Sequence, residues 1–395
     1  METEPLVSFD NTEVAFSYKS DRELRKANFI FSIVNNPFMS GLATSAVKTG
    51  MAIGLPIQGL VRSTVFDHFC GGETIVKTEK TVQHLGEYNV KTILDYSVEG
   101  AHDEEGFEAT AQEILRTFDE ALRSKHIPFC VFKMTGMASS TLLEKVAEGT
   151  QLTEAEQTAY DHVKDRVQRI CQKAHSLGIP ILIDAEDTWI QKPIDDIVYA
   201  MMALYNKEKA IVFNTYQLYR TQALNDLREA HHLATMNNYF LGAKLVRGAY
   251  MEKERERAAL RGYPDPIFSS KQGTDDAFNR ALAFCIDNKQ RVSVLCGSHN
   301  EYSNQYLALL MQKHGIKPND NRVWFAQLLG MSDNISFNLA RAGYNVCKYV
   351  PYGPVASVMP YLLRRASENT SVAGQSSREL SMIRKELQRR KNKKA

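Results

Sequence analysis

Two adjacent arginines, Arg364 and Arg365 in "YLLRRASEN" (361–369), stand between an apolar run and an acid. Tyr361, Arg364, Arg365 and Glu368 fall at i, i+3, i+4 and i+7, so on a helix they share one face. Taken alone, the pattern is an Arg–Glu pair on a solvated helix. Its place in the chain argues otherwise, because the helix opens directly from the last of a series of strands. Two guanidinium groups there suit a carboxylate or phosphate, which accepts bidentate, charge-assisted bonds worth on the order of 1.5–3 kcal/mol each. The expected substrate is a small anion. Pro360 either opens a second helical segment or kinks the first, and this decides how far the arginines lean over the strands.

Other polar residues gather at the C-terminal ends of apolar runs: Glu99, Lys133, Asp184 with Glu186, Gln217, Arg247 with Tyr250, His299 with Asn300, Gln327, and Tyr349 with Tyr352. Singly each is a weak signal. A lone strand-end acid is more often an anchor for a neighbouring loop, and His299 in "SHN" is a satisfied histidine more often than a metal ligand. Lys133 needs a partner or a task, since burying an unpaired ammonium is expensive. It could form a Schiff base, or it could pair with Asp184 and an anionic ligand.

The elements that must position these groups form a rhythm of short β-rich runs, each followed by a helical stretch: 91–100, 127–136, 179–189, 210–219, 240–250, 291–300, 323–330 and 345–353. The runs are nearly continuously apolar, as parallel strands covered on both faces must be. Eight alternating units predict an α/β fold, a closed (β/α)8 barrel, whose active sites lie at the C-terminal strand ends. The intervals 137–178 and 251–290 are long enough for more than one helix each, and Gly178 marks a helix stop. The expected organisation is an added helical region over 1–85, a catalytic barrel over 86–370 and a basic helical tail over 371–395.

Composition fits a soluble globular chain, with 44% hydrophobic and 24% charged residues, and the net charge of +2 gives no general pull toward nucleic acid. The six cysteines are scattered without a CxxC pair or a cysteine–histidine cluster, which argues for reduced thiols and against zinc; no metal is expected. The N-terminus "METEPLVSFDNTEV" is acidic and resembles neither a signal peptide nor a transit peptide. The stretch 38–61 is interrupted by Lys48, Pro56 and glycines, so it reads as packed helices or as a segment lying on a membrane without crossing it. The tail "RKELQRRKNKKA" reads as a solvated helix end or as a contact for acidic lipid headgroups.

"YLLRRASEN", "KLVRGAYMEKER", "IDAEDTWIQ" and "AQLLGMSDNISF" together resemble proline dehydrogenase, over most of the chain from about Asp95 to Glu368. The form of these motifs is closer to monofunctional and eukaryote-like members than to bifunctional bacterial ones. The resemblance implies a barrel holding non-covalent FAD. It implies oxidation of L-proline to Δ1-pyrroline-5-carboxylate, a hydride passing from ring C5 to flavin N5 and electrons going on to a membrane quinone. Carried over by position, Arg364 and Arg365 bind the substrate carboxylate with Lys133 on its other side. Tyr250, Leu329, Tyr349 and Tyr361 form walls around the ring. Glu99 pairs with Arg364, and Asp184 orients Lys133 or Tyr349. Around the flavin the matching positions are Gln217, Lys244, Arg247, Gly248, Ala249, His299, Asn300, Gln327 and Glu368, with Lys271 and Thr274 at the adenine-side loop.

Two positions depart from many bacterial members: Lys244 stands where they carry arginine, and Met251 where an aromatic often follows "GAY". Lysine keeps the charge and loses the planar fork. Tyr349 fills space that relatives preferring hydroxyproline leave open, so proline is the expected substrate. A hydroxyproline-preferring enzyme, a Schiff-base lyase using Lys133 and a metal-dependent hydrolase using Asp184, Glu186 and His299 are the alternatives. The last two leave the arginine pair and the three tyrosines without a role. The acidic N-terminus favours a bacterial cytoplasmic protein peripheral to the inner membrane over a trimmed mitochondrial one.

Overall fold

The computed structural model describes residues 7–36, 62–98, 102–362 and 375–394, with isolated positions between 37 and 61. Glu99, Arg364, Arg365, Glu368 and most of the 38–61 stretch lie outside the described residues.

Eight parallel strands close into a barrel in sequence order: β1 Val90–Tyr96, β2 Phe129–Lys133, β3 Ile181–Asp184, β4 Val212–Gln217, β5 Leu241–Val246, β6 Val292–Gly297, β7 Val323–Leu328 and β8 Val346–Tyr352. Seven fall inside the runs expected from sequence, and β1 starts one residue before its run, at Val90. β3, β4 and β8 are buried along their whole length, so apolar residues are needed on both faces. The two long intervals each hold two helices, Ser140–Ala147 with Glu154–Leu177, and Met251–Arg261 with Lys271–Asp287. Helix Glu154–Leu177 starts in a capping box between Thr153 and Glu156 and stops at Gly178, whose φ of 67° is a left-handed cap.

Two compact units share the chain. Gly100–Ala326 is continuous in sequence, whereas Met1–Glu99 combines with Gln327–Ala395. In the continuous unit the buried Asn206 side chain bonds the backbone of Ile211, Val212 and Phe240 at 2.8–2.9 Å and so pins the entry to β4 and the chain just before β5. In the other unit β1 and β8 pair over seven positions, from Val90–Val346 to Tyr96–Tyr352. Helix Asp21–Val34 and helix Gln375–Lys394 contribute to one apolar core, through Leu24, Ala27, Ile30 and Phe31 from the first and Leu380 and Ile383 from the second.

The basic tail is therefore not a loose solvated end. Arg390 donates to Asp21 Oδ1 (3.0 Å) and to the carbonyls of Phe16 and Lys19 (2.8 Å each), Lys394 reaches Asp21 Oδ2 (2.5 Å), and Arg389 meets Glu386 and Glu13. Three of its cations, Arg389, Arg390 and Lys394, thus meet acids near the chain start, Glu13 and Asp21. All six cysteines are free thiols and buried.

Candidate active site

Three strands of the continuous unit, β2, β3 and β5, bring opposite charges together. Lys133, the last residue of β2, is the cross-strand partner of Asp184, the last residue of β3, and partners in register face the same side. Lys133 Nζ donates to Asp184 Oδ2 at 2.9 Å. From β5, Lys244 Nζ donates to Oδ1 at 2.5 Å, so each carboxylate oxygen holds one ammonium. Asp184 and Lys244 are buried, and about a third of the Lys133 side chain is exposed. Burial alone would raise the Asp184 carboxyl; the two ammonium groups outweigh it and hold the pKa at about 2.

Glu186, two residues on, is an anchor. Its carboxylate accepts from the backbone N–H of Thr135 (2.9 Å) and from the Thr135 hydroxyl, fixing the turn after β2. Its own N–H donates to Gln191 (2.9 Å) and its carbonyl accepts from the Gln217 amide (2.7 Å). Burial pushes the Glu186 carboxyl up, against the Thr135 bonds.

Arg247, just past β5, donates to Asp275 (2.7 Å), Ser298 (2.7 Å) and Ser303 (3.0 Å) and lies over the Phe278 ring, 4.4 Å from its centre. Asp275 also takes Lys271, so the first turn of helix Lys271–Asp287 meets "VRGAY" through Asp275, and Thr274 next to it is buried. Gly248 has a φ of +133° and a Cβ there would strike the Tyr219 ring at 2.5 Å, so only glycine fits. Ala249 is exposed beside it and Tyr250 is half-buried. Asn300 caps helix Glu301–Lys313 by accepting from Ser303 N (2.9 Å), with half-buried His299 next to it. Cations, amides, hydroxyls and a helix N-terminus are the donor set that a pyrophosphate and a heterocycle with imide and carbonyl groups require. These residues fit an FAD-type cofactor.

In the discontinuous unit Tyr349 lies in the middle of β8 and Leu329 follows β7; Leu329 N–H donates to the Tyr349 carbonyl (2.9 Å). Both are buried. Tyr361 sits in the apolar core with Val358 and Leu362, and Gln327 accepts from the Ser336 hydroxyl (2.8 Å). Sequence reasoning missed Asp275, Ser298 and Ser303, although Lys271 and Asp275 at i, i+4 gave a signal. It also missed Lys348, whose side chain is wholly buried and meets Asp333 at 3.0 Å. A lysine inside the apolar run "NVCKYV" was the visible sign.

The family model described as proline dehydrogenase matches residues 78–378. Among curated proteins, the carbapenem antibiotics biosynthesis protein CarD of Pectobacterium carotovorum subsp. carotovorum is 34% identical, over 84% of this chain and 86% of its own. The mitochondrial proline dehydrogenase 1 of Dictyostelium discoideum is 32% identical over 96% of this chain and 74% of its own, and that of Homo sapiens 40% identical over 61% and 41%. Among solved structures, proline utilization A (PutA) from Bdellovibrio bacteriovorus, inactivated by N-propargylglycine, superposes with a TM-score of 0.70 over 91% of this chain. At 18% identity that likeness shows the fold, and this chain spans 38% of that one.

Proposed function

The chain belongs to the proline dehydrogenase family, and from that premise we propose that it oxidises L-proline to Δ1-pyrroline-5-carboxylate with FAD as cofactor and a membrane quinone as electron acceptor. The observation that carries the site reading is the convergence on Asp184, the last residue of β3, of Lys133 from the end of β2 and Lys244 from within β5. A carboxylate-bearing substrate needs a cation fixed in place, and Asp184 gives Lys133 that position while it holds Lys244 for the cofactor.

Oxidation of the ring C5–N bond releases two electrons and two protons, and the chemistry FAD supplies is a sink for the hydrogen lost from C5. The chain's own part is orientation. Arg364, Arg365 and Lys133 hold the carboxylate, which fixes the carbon that is presented. Tyr250, Leu329, Tyr349 and Tyr361 wall the ring, Glu99 pairs with Arg364, and Asp184 keeps Lys133 in position. Gln217, Lys244, Arg247, Gly248, Ala249, Lys271, Thr274, His299, Asn300, Gln327 and Glu368 would hold the cofactor.

The purified protein should be yellow, and L-proline added anaerobically should bleach the visible flavin band. A colourless protein that cannot be reconstituted with FAD, or a band indifferent to proline, would overturn the reading. Tyr349→Ser should raise kcat/KM for 4-hydroxyproline relative to proline by opening space beside ring C4. An unchanged ratio would mean that Tyr349 does not gate that position.

Among the described residues no helix is long and apolar enough to cross a membrane. A peripheral contact through the 38–61 stretch is the proposed route to the quinone. The eukaryotic relatives are named mitochondrial; for this chain a cytoplasmic site at an inner membrane is proposed.

A further inference from the structure

The loop that leaves β7, Leu328–Asp333, passes twice through left-handed backbone, once at a glycine and once at a residue that disfavours it. Gly330 has a φ of +77°, and a Cβ there would lie 2.5 Å from the His68 carbonyl oxygen. Ser332 has a φ of 51°, a left-handed conformation that a non-glycine residue adopts only when its surroundings hold it there.

The holding groups are buried side chains from distant parts of the same unit. Lys348 Nζ donates to the carbonyls of Leu328 (3.3 Å) and Met331, and His68 Nε2 meets the Gly330 carbonyl at 3.0 Å. Ser332 N–H donates to the carboxylate of Glu379, on helix Gln375–Lys394. Asp333 closes the cluster, meeting Lys348 (3.0 Å), Lys19 (2.7 Å) and the Tyr18 hydroxyl (2.7 Å).

Glu379 is the odd member. It is buried, and the next residue, Leu380, belongs to the apolar core. An apolar side chain of the same size would dock the helix at least as well, because burying a carboxylate is unfavourable unless it has a specific partner. That partner is the N–H of the strained Ser332. Burial and the neighbouring Asp333 carboxylate push the Glu379 carboxyl up to about 7, while the Ser332 N–H, Lys348 and Lys19 oppose them.

Lys348 and Tyr349 are adjacent on β8, so their side chains leave opposite faces. Leu329 lies in the held loop and bonds Tyr349. We infer that Glu379 is a positioning residue for the substrate site: by accepting from Ser332 N–H, the C-terminal helix sets the Leu328–Asp333 loop and with it Leu329. This rests on the proposed role of Leu329 and Tyr349 as walls of the proline site.

Glu379→Leu removes the acceptor and preserves the apolar packing, while Glu379→Gln keeps an acceptor oxygen and removes the charge. In the FAD-loaded full chain, Glu379→Leu should raise KM for L-proline roughly tenfold, the upper end of the effect of losing one hydrogen-bond acceptor, charged or not. Its kcat should stay within about twofold, with Tm and flavin content near wild type; Glu379→Gln should keep KM within about twofold of wild type. Hydrogen–deuterium exchange of the 327–334 segment should quicken in Glu379→Leu and not in Glu379→Gln. A wild-type KM and wild-type exchange in Glu379→Leu would overturn the inference. So would equal defects in both variants that track a fallen Tm, the mark of a merely structural acid. Wild-type protein inactive on proline, with the exchange difference intact, would instead remove the proline reading and leave the loop anchor standing.

Discussion

Asp184→Ala is expected to lower stability by about 3–5 kcal/mol and kcat/KM for L-proline by roughly 10²-fold. The stability loss follows from what is left behind. Two ammonium groups, at 2.9 and 2.5 Å from the carboxylate, lose their counter-ion, and Lys244 stays buried. Removing one partner of a buried pair is far costlier than the pair's net contribution, because the survivor remains desolvated. The kinetic loss follows from Lys133, which no longer has a fixed position at the end of β2. Denaturant unfolding and steady-state kinetics of the FAD-loaded protein measure both. Adding Lys244→Met should recover part of the stability, since the buried ammonium is gone too, and the double-mutant cycle isolates the coupling. A loss below about 1 kcal/mol would put the cluster on a par with an exposed ion pair and sink this account. The pH dependence has a definite sign. The Asp184 pKa falls from an ordinary 3.8 to about 2 on folding, so its stabilisation is complete above about pH 4 and fades as pH drops through 2.

Arg364→Met should raise KM for L-proline roughly 10–150-fold, the equivalent of losing one charge-assisted contact of about 1.5–3 kcal/mol. Methionine preserves much of the length and apolar stem and removes the guanidinium, so flavin content and fold should be retained. kcat at saturating proline should change much less than KM if the arginine binds the carboxylate equally in the ground and transition states. Arg364→Lys makes a useful intermediate: it restores the charge without the bidentate fork, and KM should fall between the two. An unchanged KM in Arg364→Met would remove the carboxylate clamp, and the small-anion argument with it.

The barrel was legible because its signal is local. Each strand is a short apolar run, and capping residues such as Thr153, Glu156 and Gly178 lie within a few positions of the ends they set. The site was legible in composition and less so in connection. Lys133 and Asp184 were identifiable as polar residues at strand ends that could pair, whereas Lys244 entered only through the family resemblance, and its contact with Asp184 depends on strand register across 60 residues of chain. Glu186 illustrates the same limit. Its type is compatible with catalysis, and only the turn folded back from β2 shows it committed to Thr135. The clusters around Lys348 and the basic tail were the least accessible, since Lys19 meets Asp333 across 314 positions and Arg390 meets Asp21 across 369. Apart from the apolar run around Lys348, nothing local distinguishes Lys19 or Arg390 from a solvated cation.

The pairing of β1 with β8 also sets a timetable for the growing chain. β1 is made early, yet its partner over all seven positions is the last strand of the barrel. All of β2 to β7 must be translated in between, a wait on the order of tens of seconds at ribosomal rates. The continuous unit Gly100–Ala326 can gather itself during that interval, whereas the unit that contains β1 needs residues from both sides of it. Until β8 emerges, one edge of β1 offers unpaired backbone groups and apolar side chains to any passing strand. Nascent-chain protection, by a chaperone or by slow emergence, is therefore most valuable for this protein between the emergence of β1 and that of β8.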